Sequence, residues 1–150
     1  MAGEIRAIIV DTYAIMADLT GQATPTAIKT LDSIRTGRVE GLIHYLIVYE
    51  LAYHWRKRRL PFRSEEELLE FVNTYFNIMD LSPKIAVEAS KVKVIGDRLL
   101  QSTDERFKRR KLSIADATTI ALAARLKVPI ITGDVDLTYV ARKTGVEVVW

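Results

Sequence analysis

Near the N-terminus, Ile5, Ala7, Ile8, Ile9 and Val10 form a short apolar run that stops at Asp11. The run is too short for a core helix and too uniformly apolar for a strand with one wet face. It describes a strand over Glu4–Val10 buried on both sides. Strands of that kind belong to parallel sheets, whose crossovers place helices over both faces. The rest of the chain has to supply those helices.

It supplies them in alternation. Thr24-Pro25 marks a helix start, and Thr26–Thr36 reads as a helix ending at Gly37. Gly41–Ile43 is a candidate short strand. From Tyr45 the chain is too long and too apolar for one strand, and a helix is expected to about Arg59, closed by Pro61. Ser64 followed by Glu65, Glu66 and Glu67 combines a cap, a capping box and acids at the positive helix end, so a helix runs to about Phe76. Asn77–Leu81 is a candidate strand. Ser82-Pro83 opens a helix to about Gln101 that carries Ala86, Ala89, Val92 and Ile95 at helical spacing. A basic loop or short helix follows. Ser113 begins a helix to about Leu126, Val128–Ile131 is a strand, Asp134–Lys143 a helix and Val146–Val149 a last strand after Gly145. Alternation throughout, with no repeat, linker or low-complexity segment, predicts one α/β domain over residues 1–150. Its architecture is a three-layer α/β/α sandwich around a mainly parallel sheet.

Composition narrows the chemistry. The chain has no cysteine, which removes disulfides and thiolate metal sites. The N-terminal apolar stretch runs into Asp11 with no basic segment before it, unlike a signal peptide. No stretch approaches the ~20 apolar residues of a membrane span. A cytoplasmic protein is expected. The net charge of +3 is mild, but basic residues cluster at Arg56–Arg59 and at Arg106–Lys111. Such runs suit a phosphate backbone and equally suit solvated helix ends.

Four carboxylates stand out by position. Asp11 and Asp134 each follow a predicted parallel strand, so both are expected on the sheet edge where ligands gather in open α/β folds. Each is also an ordinary turn or cap residue. Glu50 lies in LIHYLIVYELAYHW, Leu42 to Trp55, where it needs a partner if buried. His54, one turn on, is one candidate and a cation is the other. Asp116 falls in the first turn of the helix opened by Ser113, where a cap role is also open. Four acids near one edge would repel one another and stay ionised only beside a cation. Oxygen-only ligation selects Mg²⁺ or Mn²⁺, and such ions commonly meet substrate phosphates. Phosphodiester hydrolysis is the chemistry that follows.

The order of these segments resembles the PIN-domain nucleases, specifically the VapC-type toxins of prokaryotic toxin–antitoxin pairs. The matching segments are Ile8-Ile9-Val10-Asp11-Thr12, Tyr49-Glu50-Leu51, Ser113-Ile114-Ala115-Asp116-Ala117 and Ile131-Thr132-Gly133-Asp134. The likeness spans essentially the whole chain. It implies a Mg²⁺- or Mn²⁺-dependent endoribonuclease acting on single-stranded RNA, usually a homodimer, with an antitoxin protein that blocks the site. By position it makes Asp11, Glu50, Asp116 and Asp134 the catalytic, metal-binding acids. Thr12 and Thr132 become supporting hydroxyls, and Asp136 an additional acid toward a second metal or merely a solvated one. Tyr13 departs from the family, in which many members carry Asn.

Other classes fit less well. A non-catalytic RNA-binding module would be expected to lose one of the acids. A receiver-type phosphotransfer domain needs adjacent acids after the first strand, and the central strand, read as the one ending at Asp80-Leu81, lacks a companion set. A haloacid-dehalogenase-type phosphatase needs Asp where Tyr13 stands. His44 and His54 are expected to be packing or hydrogen-bonding residues. Tyr45, Tyr49, Tyr53 and Trp55 are expected mostly in the core, with docking of a second copy or an antitoxin helix as the alternative.

Overall fold

The structure is a computed structural model that describes residues 3–103 and 109–150. Among these residues the order is β1 (Ala7–Val10), α1 (Thr12–Leu19), α2 (Pro25–Arg35), β2 (Glu40–His44), α3 (Tyr45–Arg56), α4 (Glu65–Tyr75), β3 (Asn77–Met79), α5 (Pro83–Gln101), α6 (Ile114–Leu126), β4 (Ile130–Ile131), α7 (Val135–Lys143) and β5 (Val148–Val149). The strands form one five-stranded sheet in the order β3-β2-β1-β4-β5, and every pairing is parallel. Helices α5, α6 and α7 pack together, as do α1, α3 and α4. The expected α/β/α sandwich is present.

Strand β1 lies at the centre, and Ile8, Ile9 and Val10 are at most 1% exposed. That explains its unbroken apolar sequence: both of its faces are covered, and both of its edges are paired. Ile9 pairs with Ile130 and Val10 with Ile131, so β1 and β4 end in register. Asp11 and Thr132 therefore leave the sheet side by side.

Local signals start the helices where the sequence places them. Thr24, Ser64, Ser82 and Ser113 each accept a hydrogen bond from the backbone three residues on, satisfying an otherwise orphaned first-turn N–H. Glu67 turns back in the manner of a capping box, but it accepts from Arg63 N at 2.6 Å, one residue before the cap, rather than from Ser64 N. Gly37, with φ +77°, follows the C-cap of α2.

Four expectations need correction. Residues 12–19, given no element above, form α1, with Asp11 as its N-cap. The strand ending at Asp80 is not central but an edge strand, and it stops at Met79. The α3 helix ends at Arg56, because Arg58 adopts φ +58° and turns the chain before Pro61. Tyr45, Tyr49 and Tyr53 are 52%, 66% and 48% exposed rather than core. They share one stripe of α3 at four-residue spacing, while Ile47 and Leu51 face the sheet. A tyrosine tolerates that face because its hydroxyl stays hydrated or paired, as Tyr45 does by donating to Asp80. In the basic run Arg106–Lys111, Arg106 to Lys108 lie outside the described residues.

His44 is a structural residue. It is fully buried at the end of β2, its Nδ1 accepts from Leu46 N at 3.2 Å and caps α3, and Nε2 lies 2.9 Å from Thr119 Oγ1. Nδ1 as acceptor leaves the proton on Nε2. Burial holds the imidazole neutral and lowers its pKa from 6.5 to about 4. Between those values the unfolded chain binds the extra proton, so stability is lost as pH falls from about 6.5 toward 4. His44→Gln is expected to remove a few kcal/mol of that acid lability, read from urea midpoints taken across the window.

Candidate functional site

The four acids come from four different elements. Asp11 follows β1 and caps α1; its Oδ2 accepts from Tyr13 N at 3.2 Å and from Thr132 Oγ1 at 2.9 Å. Thr132, fully buried after β4, also accepts from Asp134 N at 3.1 Å. One hydroxyl thus ties the two strand ends together. Asp134 caps α7, its Oδ1 accepting from Leu137 N at 2.8 Å. Glu50 comes from the middle of α3, and Thr12 Oγ1 donates to its Oε1 at 2.7 Å. His54 is not its partner: His54 Nδ1 instead receives Arg59 Nη1 at 3.0 Å. Asp116 sits in the first turn of α6, its N–H donating to Ser113 Oγ at 3.0 Å.

Electrostatics join what the hydrogen bonds leave apart. Asp11 is 3% exposed, and its pKa is raised from 3.8 to about 7, first by burial and then by the charges of Glu50 and Asp134, against the Thr132 and Tyr13 bonds. Asp116 is raised to about 8 by burial and then by Asp11, Asp134 and Glu50. Among the described residues no basic side chain offsets either shift, so buried Asp11 and half-buried Asp116 lack the partner their charge needs.

Asp136 stands differently. Arg110 Nη1 binds its Oδ1 at 2.7 Å, so this acid already has a cation, supplied by the described end of the basic run.

Could these residues hold a divalent ion? The donors are all hard oxygens, as Mg²⁺ and Mn²⁺ prefer. Among the described residues, no three His, Asp or Glu side chains close directly on one point. The four carboxylates nevertheless lie near enough to lift Asp11 and Asp116. Mg²⁺ keeps several waters and takes only one or two carboxylates directly, so an open ring of acids fits it better than a tight cage. The residues fit a hydrated divalent cation.

Sequence reasoning missed the support beneath Asp116. Asp97 Oδ1 accepts from Leu112 N at 2.7 Å, while Lys93 Nζ donates to Leu112 O at 2.7 Å and to Asp97 Oδ2 at 3.2 Å. The pair grips both polar groups of Leu112, four residues before Asp116. Gly96 lets the two segments meet, since a Cβ there would lie 2.7 Å from Leu112 Cδ2. Nothing local in the sequence marks this contact, as the partners are 15 and 19 residues apart. Asp97→Ala leaves a partly buried N–H without its acceptor and is expected to cost about 1–3 kcal/mol in urea unfolding.

The fold is shared with toxin–antitoxin proteins. VapBC2 of Rickettsia felis, solved bound to a promoter DNA fragment, is similar over 95% of this chain and 96% of that one, with TM-score 0.65 and 12% identity. The sarcin–ricin-loop-cleaving toxin VapC20 of Mycobacterium tuberculosis gives 0.62 and 18%, over 93% and 95%. FitAcB of Neisseria gonorrhoeae gives 0.59 and 18%, over 94% and 95%. No curated protein matches the sequence significantly. Residues 8–143 match the PIN domain, a span that runs from β1 through all four acids to the end of α7. The chain belongs to the PIN-domain family.

Proposed function

We propose that this protein is a Mg²⁺- or Mn²⁺-dependent endoribonuclease, the toxin of a toxin–antitoxin pair. The observation that carries this reading is the convergence of buried Asp11 and half-buried Asp116 at the carboxyl edge of a parallel sheet, both with raised pKa and, among the described residues, with no basic side chain lowering either. Such a site stores a demand for positive charge, which a divalent cation meets. Bound there, the ion would make water more acidic and offset charge on the phosphate and the leaving oxygen.

The chain's own groups do the rest. Asp11 and Asp116 provide the charge that holds the ion, and Glu50 and Asp134 complete the ring. Thr12 fixes one oxygen of Glu50, and Thr132 fixes Oδ2 of Asp11, so the free oxygens keep a set direction. Water attacks phosphorus, the P–O bond to the departing nucleotide breaks, and that oxygen takes up a proton. Asp136 would face a second ion with Oδ2, its Oδ1 being held by Arg110. Cytoplasmic location fits the lack of any membrane-crossing helix among the described residues. An antitoxin partner fits the structural neighbours, several of which are toxin–antitoxin complexes. The exposed Tyr45, Tyr49 and Tyr53 stripe offers a second copy or the antitoxin an aromatic face to cover.

The test is cleavage of an unstructured single-stranded RNA. Activity with Mn²⁺ or Mg²⁺ that EDTA abolishes is expected. RNA binding with no turnover under any divalent ion would overturn the enzyme reading and leave a binding module.

A further inference from the structure

Beside Asp134 the sheet edge opens into a cleft of about 710 Å³, lined among others by Thr132, Gly133, Tyr139, Arg142, Lys143 and Trp150. That volume is within the roughly 300–1,000 Å³ range of ligand clefts. Tyr139 and Trp150 are its aromatic lining, and Tyr13 backs Trp150 from beside the cleft. The Tyr13 and Trp150 rings meet edge to face at 5.5 Å between centroids. Both press on Gly133, where a Cβ would lie 2.5 Å from Trp150 Cε2 and from Tyr13 Cε1. Only glycine allows two rings to sit directly on the backbone that carries Asp134. Neither ring is fully covered, and Tyr13 is 46% exposed. Two of its lining residues are cationic. Arg142 and Lys143 are exposed and make no salt bridge among the described residues, and Lys143 Nζ lies 5.7 Å from the Tyr139 ring.

We propose that this cleft is a nucleotide subsite, in which one unpaired base of the RNA stacks on Trp150, held edge-on by Tyr13, while an adjacent phosphate meets Arg142 and Lys143. The proposal rests on the nuclease reading above and names the form of substrate that site takes. Single-strand binders combine these two elements, an aromatic platform and a cationic track. The charge pattern requires the track here. Four carboxylates repel a polyanion, and cations at the cleft draw the backbone up to the acids from one side. Stacking requires a base with a free face, which a duplex does not offer. Gly133 joins the platform directly to Asp134, so a stacked base lies next to the scissile position. The subsite reads the presence of an unpaired base more than its identity, since every base has a π-face.

The test is binding in EDTA, where no hydrolysis occurs, with the full chain in a Trp55→Phe background so that indole emission reports Trp150. The probes are an oligouridine of roughly a dozen nucleotides, its abasic counterpart, and an RNA duplex. Oligouridine is expected to quench Trp150, and the abasic strand and the duplex are not. Trp150→Ala weakens oligouridine binding about tenfold, and Trp150→Phe restores most of it. Because Trp150 also packs on the core, the surface pair Arg142→Ala/Lys143→Ala gives an independent check. It is expected to lower the slope of log affinity against log salt by about 1.4, two single-strand phosphate contacts. Equal quenching by the abasic strand or the duplex, or an unchanged salt slope in the double variant, overturns the subsite. Loss of the subsite with Mn²⁺-dependent cleavage intact leaves the nuclease reading standing. Quenching by oligouridine with no cleavage under any divalent ion removes the nuclease reading and leaves the base platform.

Discussion

Asp116→Asn is expected to raise the melting temperature of the metal-free protein at about pH 8.5 while lowering Mn²⁺-dependent RNA cleavage about a hundredfold or more. The two effects share a cause. Asp116 titrates near 8 in the fold against 3.8 as an ordinary carboxylate, because burial and three neighbouring acids disfavour its charge. A folded pKa above the unfolded one means the native state binds the extra proton. The resulting stability is complete below about pH 4, declines as pH rises, and is gone once pH passes about 8. Asparagine has the same shape and no charge, so it escapes the penalty at alkaline pH. At order-of-magnitude precision the gain is a few kcal/mol, which for a chain of this size means several degrees by calorimetry. The same substitution removes a negative charge from the cation site. A variant that loses cleavage and also melts lower at alkaline pH would place Asp116 in the scaffold rather than in the site. Asp11→Asn repeats the experiment with less clean stability, since an amide at that position disturbs the bonds to Thr132 and Tyr13.

The second large effect is the linkage between metal and proton. Asp11 and Asp116 carry pKa values of about 7 and about 8, so near pH 6 both are largely protonated and compete with a cation. Saturating Mn²⁺ is therefore expected to raise the melting temperature little near pH 6 and most above about pH 8, where both acids are ionised and otherwise unneutralised. Without metal the trend reverses, and these two acids make stability fall as pH rises from about 4 to about 8. His44 opposes that fall between about pH 4 and 6.5 and contributes nothing above it, because its titration lies below 6.5. Chelation should return the alkaline melting curve to the metal-free one. A stabilisation by Mn²⁺ that is equal at both pH values would mean the ion binds elsewhere.

Much of this was legible in the chain. The uninterrupted apolar run of β1 demands cover on both faces, and short strands alternating with capped helices leave few arrangements besides a parallel sheet between helical layers. Asp11 and Asp134 were recognisable for the same reason, as acids directly after strands that point the same way. Glu50 was visible as a charge inside an apolar helix. Helix α1 was not legible, because TYAIMADL has neither a clear polar face nor an obvious stop before Thr20, and its cap is the site residue Asp11 itself. The exposure of Tyr45, Tyr49 and Tyr53 was equally hidden. Hydropathy counts a tyrosine as apolar, but which stripe of α3 meets the sheet depends on what packs against it.

By itself the sequence determined the helix starts other than that of α1, the strand order along the chain and the placing of Asp11, Asp116 and Asp134 at element boundaries, since caps, turns and periodicity act within a few residues. Only the tertiary structure decided what those carboxylates meet. Thr12 pairs with Glu50 across 38 residues and Thr132 with Asp11 across 121, and Arg110 pairs with Asp136. Asp97 and Lys93 hold the approach to Asp116, and Tyr13 comes to lie beside Trp150 over Gly133. Hydrogen bonds and charge repulsion act over a few ångströms of space, and separation along the chain does not measure that distance.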